Sequence, residues 1–502
     1  MKTSQAKSKK EFGDFQTPLE LSELMVGILK DLCLPPDIIV EPTCGIGNIL
    51  IQAYNSFSPK KVIGIEINKN HCAVLHRKLN EKQNILILNS DVFISFSQIK
   101  HKIKPDDVCL FIGNPPWVTN SELGSMGSKN LPVKKNLKNL RGIDAITGKS
   151  NFDISEFIII KFLEEFSRNK SIFAFLCKTS VARNILKYCW HNTIQYANAF
   201  LFPIDSKKYF NAAVDACYFI IDASKKELKN ECFVYDSIEN RLYKNKIGFF
   251  QDRMVRNIDN FLLNYYLGKS DYIWRNGVKH DCSKVMEFDI VDSKLVNGYG
   301  EEVDIEDDLI YPLLKSSDIA NGKIEIRKKV LVTQKQVGEE TNYIKEKYPK
   351  TWKYLYSYIG DFNKRKSCIY KNKPLFSIFS IGDYCFYPYK IAISGLYKHL
   401  NFKIIYPIEG KPVLVDDTCN FISCNTEAEA LMLYSLLTNE KTETFLNSII
   451  FWDSKRPITT ELLNSIDLRR IANENSLQNH YDQLSSYNMT TNVGNHIQMT
   501  LL

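Results

Sequence analysis

One alternation constrains this chain more than any other feature. Short apolar runs at 38–41, 61–67, 85–91, 108–114, 171–177, 195–202 and 215–222 are separated, in most cases, by amphipathic stretches at 19–32, 47–57, 69–80, 154–166 and 181–191. Strands joined through helices pair in parallel, because a parallel connection needs a long crossover, and the crossovers cover the sheet. The first half is therefore expected to be an α/β domain, a parallel sheet with helices on both faces. Residues 120–150 break the rhythm. That stretch is rich in Gly, Ser, Lys and Asn, and structureless segments of such length inside a compact domain are usually functional.

After Ser237 the texture changes: the alternation fades, and Tyr, Lys and turn residues become dense. At about 150 residues per domain, 502 residues allow two to four. We expect a first domain over 1–236, a second over 237–472 and a polar tail over 473–502. Within the second, residues 343–371 interleave basic and aromatic side chains. That pattern suits a surface lining DNA, with cations on phosphates, and it equally suits a solvated helix face with its tyrosines turned to the core.

Lys plus Arg number 65 against 57 for Asp plus Glu, and the +8 balance permits a nucleic-acid partner without demanding one. The thirteen cysteines include no C-x-x-C pair, which reads as buried thiols in a reducing compartment and not as a disulfide frame or zinc site. His280-Asp281-Cys282 is read as part of the second domain's fold and not as a nucleophile pair. The first ten residues are polar and lack a signal-peptide apolar region, and no apolar run approaches the roughly 18 residues that span a bilayer. The expectation is a cytoplasmic protein with no membrane and no metal.

Chemistry is concentrated at the expected strand tips. Glu41-Pro42-Thr43-Cys44-Gly45-Ile46-Gly47-Asn48 follows the first strand; its small residues let the backbone turn tightly and approach a ligand, although Gly-x-Gly after a strand is also a common plain turn. Glu66 ends the second strand, where a carboxylate can accept from both ribose hydroxyls or simply favour a helix N-terminus. Asp91 ends the third, placed to accept from an exocyclic amine. The fourth runs into Asn114-Pro115-Pro116-Trp117. Two prolines remove two backbone donors and leave carbonyls as acceptors, Asn114 adds a side-chain carbonyl, and Trp117 adds a broad ring. The set suits a planar base bearing an amino group. It also suits a Pro-Pro loop with a core tryptophan.

Taken in order, residues 12–18 (Phe-Gly-Asp-Phe-Gln-Thr-Pro), 41–48, 64–68, 89–91, 114–117, 151–155 and 209–214 (Tyr-Phe-Asn-Ala-Ala-Val) resemble the motifs of γ-class N6-adenine DNA methyltransferases. The phrases at 274–281, 311–318 and 452–459 resemble the specificity domain that restriction-system members carry. The resemblance implies a Rossmann-like class I S-adenosylmethionine-dependent methyltransferase domain, with a seven-stranded, mostly parallel sheet, followed by a mixed α+β DNA-recognition domain. It implies that Thr17, Glu41, Gly45 and Gly47, with Thr43 and Cys44, hold the methionine part of S-adenosyl-L-methionine. Glu66 and Ile67 would take its ribose, and Asp91 and Val92 its adenine. Asn114 and Pro115, with Pro116, would bind the target N6, while Trp117 and Phe210 stack on the flipped base. The family more often has Tyr at 117 and a small residue at 43.

The activity so implied is site-specific methylation of adenine N6 in double-stranded DNA by direct in-line transfer, as the modification enzyme of a restriction–modification system. Any cognate restriction endonuclease is expected to be a separate chain, since neither flank of the motifs leaves room for a nuclease domain. N4-cytosine methylation is the nearest chemical rival, because its amine would satisfy the same acceptors. RNA or protein-glutamine methylation and a non-catalytic DNA-binding module stand further off.

Overall fold

In the computed structural model, residues 16–32, 35–79, 82–118 and 153–492 are described. The loop at 120–150, the N-terminal lysines, residues 12–15 and Asn151-Phe152 lie outside them. The chain forms two compact units, Met1–Asp259 and Asn260–Leu502.

The first unit carries strands β1 (Ile38–Glu41), β2 (Lys61–Glu66), β3 (Ile85–Asn89), β4 (Val108–Gly113), β5 (Lys170–Lys178), β6 (Asn198–Ile204), β7 (Ala216–Ala223), β8 (Glu231–Tyr235), β9 (Tyr243–Phe250) and β10 (Arg253–Val255). They make one sheet in the order β10-β9-β8-β6-β7-β5-β4-β1-β2-β3. From β3 to β5 the pairing is parallel, and β7 lies antiparallel between β5 and β6. That seven-stranded core is the expected one. Three further strands widen it at the β6 edge, with β8 parallel to β6 and β9 and β10 antiparallel. The first unit consequently runs to Asp259, past the boundary expected at Asp236. Strands β8 to β10 carry no helices between them, which is why the texture changed before the sheet ended.

Helices α1 (Leu19–Leu32), α2 (Asn48–Phe57), α3 (Lys69–Leu79), α4 (Val92–Lys100), α5 (Ile154–Phe166), α6 (Thr179–His191) and α7 (Ser206–Phe210) accompany the sheet. The apolar faces of α1 and α2 are spent on one core: Leu21, Met25 and Leu29 of α1 and Ile49, Leu50 and Ala53 of α2 join Ile39, Leu110 and Ile112 of the strands. Asp91 and Asp153 cap α4 and α5 by accepting the backbone N–H of Phe93 and Ser155. The sheet order reverses between β1 and β4, and at such a switch point a crevice opens beyond the carboxyl ends of parallel strands. Glu41 and Asn114 flank it.

The second unit has two sheets. One pairs Arg275–Asn276, Cys419–Cys424, Tyr389–Ser394 and Lys403–Ile405; the other has six strands, with Glu287–Val291 and Ile310–Leu314 near its centre. Helices Glu427–Leu437, Glu440–Ile449, Leu468–Glu474 and Gln478–Asn492 follow. The expected tail is therefore partly structure: Tyr481 is fully buried, and its hydroxyl donates to Asp271 at 3.2 Å.

Candidate active site

The turn after β1 needs its glycines. Gly45 and Gly47 have φ of +51° and +82°, the left-handed region. A Cβ would stand 2.4 Å from Gln16 Oε1 at the first and 2.2 Å from Leu75 at the second. Glu66 ties this turn to β2. Its carboxylate accepts the backbone N–H of Gly45 at 2.8 Å and of Asn68 at 2.7 Å. Each oxygen of a carboxylate has a second lone pair, so both can take a further donor. Ile67 beside it is 50% exposed, an apolar surface next to an acid. Asp91 spends Oδ1 on its capping bond, and Val92 is buried beneath the same turn. Cys44 is buried under Gly64 and offers the turn its backbone: its N–H donates to Ile65 O, and its carbonyl accepts from Gly47.

Glu41 is buried with one carboxyl oxygen unpartnered: the residue is 2% exposed, and Oε2 has no hydrogen-bond partner. Burial pushes its carboxyl well above the ordinary range, the Leu50 backbone opposes the shift, and the negative charge of Glu66 adds to it. Gly113 of β4 lies against this side chain, a Cβ there standing 3.4 Å from Glu41 Cγ, an ordinary packing distance.

Across the switch point, Asn114 follows β4. Its Nδ2 donates to Thr17 Oγ1 at 3.3 Å, and its main-chain carbonyl accepts from Thr43 Oγ1 at 3.4 Å. The rings of Trp117 and Phe210 meet edge to face, centroids 5.2 Å apart at 74°. Both are nearly buried, at 9% and 8%, and Trp117 Nε1 donates to Leu176 O of β5. Both belong to the first unit's core. The Asp153 cap of α5 pairs with Lys178 at the tip of β5, Oδ2 to Nζ 2.8 Å.

Two participants were not singled out from the sequence. Gln16 Oε1 accepts the N–H of Ile46, and Lys78 of α3 reaches Ile46 O at 3.0 Å and Asn48 Oδ1 at 3.2 Å. Gln16 sat inside a quoted motif, so it was visible. Lys78 was not, because a surface lysine on an amphipathic helix carries no local signal. In the second unit the three specificity phrases converge on one turn. Gly277 passes 2.1 Å, for a hypothetical Cβ, from Val415 O. Lys315 pairs with Glu287 and Asp416, His280 Nε2 meets Glu287 at 3.3 Å, and Ile458 O accepts from Asn420.

Among the described residues no group of His, Cys, Asp or Glu is placed to hold a metal ion, and no helix is long and apolar enough to cross a membrane.

A sheet of this order, with a glycine turn, buried acids at two adjacent tips and Asn-Pro-Pro-Trp beyond the switch point, defines a class I S-adenosylmethionine-dependent methyltransferase. Residues 1–297 match the N-6 DNA methylase family. Over 479 residues the chain is 43% identical to the type II methyltransferase M.NspV of Nostoc sp. (strain ATCC 29411 / PCC 7524), covering 93% of this chain and 98% of that one. It is 26% identical over 140 residues to modification methylase CviBIII of Paramecium bursaria Chlorella virus NC1A, 26% of this chain and 35% of the relative. The structure of the type IIL restriction-modification enzyme MmeI in complex with DNA aligns with a TM-score of 0.52 at 14% identity, over 91% of this chain and 64% of that longer one, a likeness of fold. This chain belongs to the N-6 DNA methylase family, and it is a DNA methyltransferase.

Proposed function

We propose that the edge of β1, β2 and β4 seats S-adenosyl-L-methionine and presents N6 of an extrahelical adenine to it. The observation that carries this is Glu41 Oε2, a buried carboxylate oxygen without a donor at the mouth of a glycine turn. A buried acid in that state calls for a cation, and the cofactor's α-ammonium is one. Its sulfonium supplies an electrophilic methyl group, so no further activation of the donor is needed. Glu66 keeps lone pairs for ribose hydroxyls, while the exposed Ile67 and the capping Asp91 lie where a purine would pack.

Asn114 Oδ1 and the Pro115 carbonyl are the acceptors for the target amine. Taking both N–H bonds draws the nitrogen lone pair out of conjugation and makes a weak nucleophile usable. Trp117 and Phe210 hold the flipped ring, and extruding it costs a few kcal/mol. The second unit reads the DNA sequence through its side chains. The family match favours adenine over cytosine. The reading includes double-stranded DNA as substrate, a separate cognate endonuclease and a cytoplasmic setting, in keeping with described cysteines that form no disulfide and, Cys368 apart, are buried.

The test is Asn114→Ala. Single-turnover methylation of a cognate duplex should fall by at least about a hundredfold, with cofactor affinity retained, because the acceptor matters most as charge develops on N6. Normal methylation by a folded variant would overturn the assignment.

A further inference from the structure

Given the active-site reading above, we propose that Lys178 and Asp153 are positioning residues for the target base. Their ion pair locks the segment that carries Asn114 and Trp117 to the tip of β5. Residues 114–118 leave the sheet at the end of β4, and the flipped adenine needs their acceptors and ring in one place. Two of those five residues are prolines without an N–H, so the segment has few backbone donors with which to fix itself. Its anchors lie on other elements.

Two hydrogen bonds supply them. Trp117 Nε1 donates to Leu176 O on β5 at 3.3 Å, and the Val118 carbonyl accepts from the Ile154 N–H at the start of α5 at 3.0 Å. One anchor is a strand and the other a helix. The ion pair joins the two. Lys178 stands two residues beyond Leu176, Asp153 stands one before Ile154, and Nζ meets Oδ2 at 2.8 Å. The ties therefore close a circuit, from Trp117 through Leu176, Lys178, Asp153 and Ile154 back to Val118.

The pair is sheltered and directed. Asp153 Oδ1 is committed to Ser155, whose N–H and hydroxyl it accepts, so Oδ2 is the oxygen left to face the lysine. Among the described residues no hydrogen bond reaches Oδ2, and its tie to Lys178 is one of charge. The side chains are only 6% and 21% exposed, so salt screens that attraction far less than it would at the surface. The same strand tip also holds the chain beside the second aromatic. Lys178 pairs with Ala216 of β7, and the Thr179 N–H donates to Asp215 O at 2.9 Å, directly after the 209–214 phrase that carries Phe210.

Removing one partner of a buried ion pair strands a charge and costs stability, whereas removing both is often close to neutral. Lys178→Met, Asp153→Asn and the double variant therefore separate a role in the fold from a role in positioning. Asparagine keeps Oδ1 for the cap. Full-length proteins are compared by thermal unfolding, by calorimetric Kd for S-adenosyl-L-methionine, and by single-turnover methylation of a saturating cognate duplex at saturating cofactor. The fluorescence of 2-aminopurine at the target position reports base capture. Each single variant should melt below the parent. The double variant should melt close to the parent with an unchanged cofactor Kd, yet methylate roughly tenfold more slowly, the scale of a coupling between neighbouring groups, and give a smaller fluorescence gain. A double variant that methylates at the parent's rate would show that the pair serves the fold alone, and so would one that does not fold. Either overturns the proposal, as does a double variant whose sole defect is a raised cofactor Kd. Asn114→Ala is run alongside. If it is inactive while the double variant methylates at full rate, only the positioning role falls; normal methylation by Asn114→Ala removes the active-site reading itself.

Discussion

At Glu41 a single carboxylate carries the conflict between folding and binding. Buried without a donor on Oε2 and repelled by Glu66, it favours its neutral form, with its pKa raised well above the unfolded value. Between those two values the folded protein holds a proton that the unfolded chain has lost. Stability must therefore fall as pH rises through that window. Glu41→Gln removes the ionisable group while keeping the shape. Thermal unfolding should show the variant stabilised by about 1–3 kcal/mol at about pH 8 and hardly at all near pH 5, where the parent is itself neutral. The same variant should fail to bind S-adenosyl-L-methionine in a calorimetric titration. Equal melting temperatures at both pH values would show that the carboxylate bears no penalty. Residues of this kind were legible in the sequence as acids at strand tips. Their second duties were not: that Glu66 holds the Gly45 and Asn68 amides, and that Asp91 spends an oxygen capping α4, depends on where backbone N–H groups point.

At the scale of elements, the basic–aromatic stretch separates into two faces. Helices at Tyr343–Lys347 and Pro349–Ser357 turn Tyr343, Tyr348, Trp352 and Tyr354 onto the second unit's core. Lys345, Lys347 and Lys353 stay exposed, whereas Lys350 is drawn to Asp304. The composition could not decide between a DNA surface and a solvated face because the aromatics answer one question and the lysines another. Replacing Lys345, Lys347 and Lys353 with Ala should weaken DNA binding alike for cognate and random duplexes. The log–log salt slope should drop by up to about three, roughly 0.9 for each phosphate no longer neutralised. An unchanged slope would assign these lysines to solvent alone. Nearby, burial would raise the Glu287 carboxyl, but the hydrogen bonds from His280 and Lys315 outweigh it and hold the pKa at about 2. Its stabilising contribution is complete above the ordinary carboxyl range and lost as pH falls toward about 2. Glu287→Gln should therefore cost stability at neutral pH, and the gap between parent and variant should close as acid unfolding is approached. A pH-independent difference would remove the charge from the account.

For the molecule as a whole, the open question is where one folding unit ends and the next begins. The alternation in the sequence located each of the seven central strands to within three residues at either end, because β/α periodicity and sheet order follow from the same crossovers. It could not place the edge, since β8, β9 and β10 follow one another without helices, and their polar and aromatic residues read like the domain that follows. The difference is testable by truncation. A chain ending at Asp236 keeps β8 but loses β9, which pairs with it from Glu231 to Tyr235, and Cys232 is left on an open edge without Ile247 opposite. It also loses the packing of Gly248 against Ile258. An exposed apolar edge strand of that kind invites aggregation. A chain ending at Asp259 retains the full ten-stranded sheet. It should be recovered soluble, unfold cooperatively and bind S-adenosyl-L-methionine with an affinity near that of the parent, while the 1–236 chain precipitates or melts without a sharp transition. If the second unit supplies the sequence reading, the 1–259 chain should bind DNA weakly and show no preference for the parent's methylation site, whatever low level of transfer it retains. Site-specific methylation by 1–259 would place recognition in the first unit, and a stable 1–236 chain would show that β9 and β10 are dispensable to its sheet.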